Sequence, residues 1–361
     1  MEERSKLQKF LLGVVLSGIV LLLSIVFSLF MRHILQAEDF LAEESEPSDR
    51  YGIEGLPPGV ELSTIPQYVD EEYIYFADRI LDRYKYDAAG TEKTIQALSA
   101  AVNSVPEGVA VYTMLVPLRI NLEKELAAYS DDVEKTFREI NEALPAKAQK
   151  LDVLKKLLEH RGEYLFFRTD NSWTALGGYY AAQLYCEAAG IEMIPLSEYW
   201  EWHLESFFGA NTYMEKSDIP SDYTEYVSYY LLPGATNWAE VTVRRGSNYY
   251  EKFETPTIAL SRRGTDLFIG GNYSHAVLEG DKPSGKTLLI IGDSAAKFMA
   301  TWLTPYYKNV YVINIARYQG EAEGYKEIWQ DYDISECIIL ESARKFGDTP
   351  ENNKLLNFVG E

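Results

Sequence analysis

The chain has 361 residues, 47% of them hydrophobic and 13% aromatic, which is enough to bury the core of one large globular domain or two small ones. A formal net charge of −21 argues against binding to nucleic-acid phosphates or docking on anionic lipid, since both need basic surface. The 2 cysteines have no metal-ligand spacing and no haem or redox motif surrounds them, so no metal or cofactor is expected.

Residues 10–31 form the first recognisable element, an apolar run of about 22 residues that as a helix spans roughly 33 Å, against about 30 Å of bilayer hydrocarbon. A secretory signal has a shorter apolar core of about 7–15 residues and ends in a small-x-small site, which Leu35-Gln36-Ala37 does not supply. Arg4, Lys6 and Lys9 precede the run, and the flank after it is acidic. The expectation is therefore a cytoplasmic N-terminus (1–9), a single transmembrane helix (10–31), an acidic juxtamembrane linker (32–66) and an extracellular domain (67–361).

Within that domain the apolar spacing at Tyr73, Phe76, Ala77, Ile80, Leu81 and Tyr84 predicts a helix, and residues 91–105 repeat the pattern. Residues 109–116 are continuously apolar, as in a buried parallel strand. Helices are expected near 131–143 and 148–159, then a strand at 164–167 and an alanine-rich helix at 175–189. Residues 226–232, a Pro233-Gly234 turn and residues 238–244 suggest an inserted antiparallel pair. Strand signatures return at 287–291, 310–313 and 337–340, with helical patterns at 295–303 and 321–330 between them. This alternation predicts an α/β sandwich on a mostly parallel sheet. Cys186 and Cys337 read as two packed thiols.

Two stretches carry chemistry. Leu-Leu-Ile-Ile-Gly-Asp-Ser (288–294) ends a buried strand and enters a helix, which leaves Ser294 on a tight turn beside the N–H of Ala295. The turn supplies either a nucleophile with half an oxyanion hole or simply a helix cap. Arg-Thr-Asp-Asn-Ser-Trp-Thr (168–174) sits between the expected strand at 164–167 and helix at 175–189. There Asp170 or Thr174 is a candidate cap and Trp173 a candidate core residue.

Taken together, residues 164–180, Asp-Leu-Phe-Ile-Gly-Gly-Asn (266–272), the 286–294 strand and turn, and Leu-Thr-Pro-Tyr-Tyr-Lys-Asn-Val-Tyr-Val-Ile-Asn (303–314) resemble the DHHW family in order and register. That family is similar to the SGNH-type domains of alginate O-acetylation proteins. The resemblance implies an SGNH-hydrolase-like three-layer sandwich, with Ser294 as nucleophile and Asp170 as triad acid. Arg168, Trp173, Asn272 and Asp293 are then expected at the substrate. In the family an Arg-Thr-Asp run leads into His-His-Trp-Thr, and the position of the base is here occupied by Ser172.

A serine hydroxyl does not accept a proton near pH 7 as an imidazole does. Loss of the histidine from a serine triad costs on the order of a millionfold in turnover, or ~8 kcal/mol. Of the 4 histidines, His33 lies at the membrane, His160 before the 164–167 strand and His203 at a helix surface or core edge. His275, just after Gly-Gly-Asn, is the one candidate among them to replace it, and the active-enzyme alternative depends on it. The reading is a membrane-anchored protein of exopolysaccharide or cell-wall glycan O-acetylation or export, with a degenerate site. Its expected partners are a cell-surface polysaccharide and a membrane-bound acyl-transfer protein. The alternatives are an active serine O-acetyltransferase or acetylesterase, and a structural component of the cell envelope.

Overall fold

Thirteen strands and seven α-helices are described in a computed structural model that covers residues 62–219, 225–233, 238–245, 249–282, 285–318, 322–347 and 349–360. The expected membrane span at 10–31 and most of the 32–66 linker lie outside the described residues. Among the described residues no helix is long and apolar enough to cross a membrane. All of them belong to the unit Tyr51–Glu361.

In chain order the elements are β1 (Tyr68–Val69), β2 (Tyr73–Tyr75), β3 (Ile80–Asp82), α1 (Ala88–Ser104), β4 (Ala110–Val116), α2 (Val133–Ala143), β5 (Ala148–Leu151), α3 (Val153–Glu159) and α4 (Ala175–Ala189). They continue with β6 (Trp200–Phe207), β7 (Glu225–Leu231), β8 (Trp238–Arg245), β9 (Tyr249–Pro256), β10 (His275–Glu279), β11 (Thr287–Gly292), α5 (Ala296–Ala300), β12 (Asn309–Asn314), α6 (Ala322–Asp331), β13 (Ile334–Ser342) and α7 (Pro350–Val359). The central sheet runs β5-β4-β13-β11-β12-β10-β8-β9. Its first five strands are parallel and the last three antiparallel, so the protein is an α/β fold on a mostly parallel sheet.

Register shows which helices cover which face. Val111, Cys337 and Leu289 are aligned across three strands, and so are Tyr112, Ile338 and Ile290. Because side chains alternate, the two rows point to opposite faces. On one face Tyr112 packs edge-on to Tyr185 of α4, with ring centroids 5.0 Å apart. On the other, the thiol of Cys337 acts electrostatically on Tyr325 of α6, and Tyr325 packs on Phe358 of α7 at 4.7 Å. Helices therefore pack on both faces. The two cysteines, buried on opposite sides, remain free thiols, and burial pushes the Cys186 thiol up to about 12.

Several expectations are corrected. Residues 73–84 form β2 and β3, joined by a turn in which Phe76 N–H donates to Arg79 O at 2.9 Å. Aromatic and β-branched residues favour strands, and burial of both sides of this hairpin mimics helical spacing. Residues 148–159 divide into β5 and α3. Residues 164–167 add no strand to the sheet: Phe166 bridges Trp173, and Phe167 N–H donates to Ser172 O at 3.1 Å, so the segment folds back on its own motif. β7 and β8 both form but do not pair with each other, because β7 pairs with β6 and β8 joins the central sheet. His203 lies on β6 and not on a helix.

Candidate functional site

β11 is buried at every position and hydrogen-bonded on both sides, so its carboxyl end is a rigid platform. Gly292 O accepts from Ile315 N at 2.8 Å, and the chain then turns through Asp293 and Ser294 into α5. Asp293 organises the turn: its carboxylate accepts from Ala295 N–H at 2.8 Å and its carbonyl from Ala296 N–H at 3.2 Å. Burial raises its pKa above the ordinary carboxylate value. The Ala295 N–H expected in an oxyanion hole is thus already engaged. The N–H and hydroxyl of Ser294 itself have no hydrogen-bond partner among the described residues.

The 168–174 loop is brought to this turn by Trp173. Its ring is 1% exposed, and its Nε1 donates to Ala295 O at 3.0 Å. Thr174 caps α4, accepting from Gly177 N–H at 3.4 Å. Glycine at 178 permits the close approach of α4 to α5, since a Cβ there would lie 2.8 Å from the backbone of Phe298. Asp170 accepts from the N–H of Ser172 at 2.9 Å and from Ala210 N–H at 3.4 Å. Its charge also acts on Lys297.

Arg168 is 1% exposed and lies 4.0 Å from the carboxylate of Glu225. Glu225 also accepts from the N–H groups of Arg168 (2.8 Å) and Thr169 (2.7 Å) and from the hydroxyls of Thr169 and Tyr164. Arg168 is thus part of the loop's foundation.

Ser294 borders a small cavity of about 10 Å³, about the room for one water, together with Ile269, Asn272, Tyr273, Asp293, Lys297 and Asn314. Asn272 Oδ1 accepts from Asn314 Nδ2 at 2.6 Å. That contact leaves the Asn272 amide hydrogens as donors for the cavity. Asn272 is presented by a turn with three consecutive positive φ values, Ile269 (50°), Gly270 (74°) and Gly271 (150°). A β-branched residue in the left-handed region is strained, and such strain gathers at functional sites.

Lys297 is 5% exposed, and its ammonium donates to Thr265 O at 2.6 Å. Burial lowers its pKa to about 8, against the opposing pull of Asp266 and Asp170.

No described histidine borders this cavity. Ala276 and Val312, paired neighbours on β10 and β12, line it, so His275 and its partner Ile313, one residue away on each strand, point to the other face. There the ring lies near Tyr311 and Tyr318, and burial first, then the Lys252 cation, depresses its pKa to about 4. His160 stacks on Tyr180 with centroids 3.6 Å apart, and His203 contacts Tyr226 and Ser228. The structure thus gathers Ser294, Asp293, Asn272 and the Trp173 tether, sets Ser172 beside that tether, and separates His275 from them all. Glu225 and Lys297 carry no signal in the sequence: one heads an apolar strand and the other sits in an ordinary helix start.

The family model described as DHHW protein matches residues 67–313. Among solved structures the chain is similar to a DHHW family protein from Eubacterium siraeum DSM 15702, with 18% identity, 81% of this chain and 99% of that chain covered and a TM-score of 0.66. It is also similar to PatB1 of Bacillus cereus, with 14% identity, 78% and 98% covered and a TM-score of 0.63. PatB1 with a sulfonyl adduct gives 14% identity, 79% and 98% covered and a TM-score of 0.61. No curated protein matches the sequence.

Proposed function

The chain belongs to the DHHW family, and from that premise we propose that it is a membrane-anchored extracellular protein with an SGNH-like three-layer domain that serves O-acetylation or export of a cell-surface glycan. In this reading the domain binds the exopolysaccharide or cell-wall glycan beside a membrane-bound acyl-transfer partner, and Ser294 does not turn over. One observation carries the reading: Ser172 stands where the family's base is expected, and no described imidazole shares the cavity with Ser294. Without an imidazole to take its proton, a serine hydroxyl is a weak nucleophile.

A fluorophosphonate is the direct probe of this serine. Wild-type protein is expected to remain unlabelled, and Ser172→His to gain labelling at Ser294. Turnover of aryl acetates by the wild type, lost in Ser294→Ala, would sink the proposal.

Lys297 favours a second reading, an active serine O-acetyltransferase or acetylesterase. It borders the same cavity as Ser294, and its pKa near 8 leaves far more of its amine neutral and able to accept a proton near pH 8 than in an ordinary lysine. Its present bond to Thr265 O keeps it from being the first choice. Aryl-acetate turnover that rises through pH 8 and vanishes in Lys297→Met would establish this reading.

A further inference from the structure

A buried carboxyl with no role in either reading of Ser294 lies next to the serine turn. The register of β11 and β13 sets Leu289 beside Cys337 and Ile291 beside Ile339, and the next residues of that row are Asp293, just past the end of β11, and Glu341. Glu341 is 7% exposed, its partner on β4 is the apolar Leu115, and its Oε1 has no hydrogen-bond partner. The charged groups that face it are Asp293, Glu351 of α7 and Lys345 in the turn after β13. The Lys345 ammonium is itself paired with Glu351 at 2.8 Å.

The two neighbouring carboxyls differ in their donors. Asp293 accepts from the N–H of Ala295 and from both the hydroxyl and the N–H of Ser342, and donors of this kind favour the ionised form. No such donor reaches Glu341 Oε1. A carboxylate buried without donors is costly, and two adjacent carboxylates resist being ionised together, so one proton is retained by the carboxyl that lacks donors. Burial first, then the charge of Asp293, pushes the Glu341 carboxyl well above its ordinary range.

We propose that Glu341 is a positioning residue that holds a proton at neutral pH and so keeps Asp293 in place as the ionised brace of the Ser294 turn. Loss of that proton would set two carboxylates side by side and push Asp293 off the Ala295 N–H. Ala295 is also the residue whose carbonyl holds Trp173, so the 168–174 loop would loosen with the turn. The device closes the turn at neutral pH and opens it as the pH rises, whether or not Ser294 turns over.

The test compares the full chain with Glu341→Gln, which replaces the protonated carboxyl by an amide that never ionises. The infrared difference spectrum at pH 7 is expected to show the carbonyl band of a protonated carboxyl in the wild type only. Above the ordinary glutamate value of 4.5 the folded wild type binds one proton more than the unfolded chain, so its stability falls as the pH rises. Glu341→Gln should therefore gain on it by up to tenfold in the folding constant per pH unit, until Glu341 ionises. In full chain carrying nitrogen-labelled tryptophan, the indole N–H signal of Trp173, assigned with Trp173→Phe, should shift as the carboxyl band vanishes and stay fixed in Glu341→Gln. The same titration in Lys297→Met removes the response of the nearby amine, which titrates near 8. A wild type without the carboxyl band at pH 7, a band that survives Glu341→Gln, or a Trp173 signal unmoved while the band vanishes overturns the proposal. If Glu341→Gln does not fold, the wild-type band and Trp173 titrations decide it alone.

Discussion

Lys297 and His275 both lie below their ordinary pKa because burial disfavours their charged forms, and this gives each a sign and a pH window. His275 titrates near 4 when folded and 6.5 when unfolded, so between those values the unfolded chain binds more protons. Its contribution is complete above about pH 6.5 and is lost as the pH falls toward 4. His275→Phe should therefore flatten the acid side of the stability curve, measured by urea denaturation across that window, and an unchanged slope would refute the assignment. For Lys297 the window runs from about 8 to 10.5, and stability rises with pH across it. Below it the buried ammonium carries a penalty of about 3 kcal/mol, since every tenfold weakening of proton binding on folding costs about 1.4 kcal/mol. Lys297→Met gives up the bond to Thr265 O, worth about 1 kcal/mol, yet should still stabilise the protein by about 1–2 kcal/mol at pH 7. Near pH 10.5 that advantage should shrink. A destabilised Lys297→Met at neutral pH would mean that the ammonium is held by more than its present partners.

At the level of elements, the 168–174 loop is clamped between β7 and α5. Glu225 of β7 grips the backbone of Arg168 and Thr169 from one side, and Trp173 reaches the Ala295 carbonyl on the other. Glu225→Ala removes the carboxylate that lies 4.0 Å from the buried Arg168 guanidinium and accepts from the N–H groups of Arg168 and Thr169, a change that costs about 3–5 kcal/mol. A fall in the urea midpoint of that size is expected, whereas Glu279→Ala on the exposed end of β10 should change little. The clamp also shows what sequence can and cannot reveal. β4, β11, β12 and β13 were legible because strands buried on both faces read as unbroken apolar runs. β9 was missed because Glu251, Lys252 and Glu254 break its apolar pattern. Residues 164–167 carry the strand signal but pair with their own downstream motif, a choice of partner that periodicity does not encode. The motifs around Ser294 and Asp170 were legible by family resemblance. The face on which His275 points was not, since one residue of register reverses it.

The whole molecule adds a term that no single residue shows. A net charge of −21 surrounds any polymer that approaches, and its reach is set by salt: the screening length falls from about 30 Å at 0.01 M to about 8 Å at 0.15 M. A neutral glycan is indifferent to this field, so its affinity for the protein should stay constant across that range. A polyuronate is repelled at low salt, and its binding should strengthen as salt is added. The opposite trend belongs to recognition by a local cation, as phosphate readers show when their affinity falls with salt. Such a trend here would require a local basic patch strong enough to outweigh the net charge. Immobilised neutral and uronic-acid glycans, titrated with the full chain at both ionic strengths, separate the cases. Flat affinity for the neutral glycan and rising affinity for the acidic one are expected. Acidic-glycan binding that weakens with salt would show that a local cationic site outweighs the field of the whole chain.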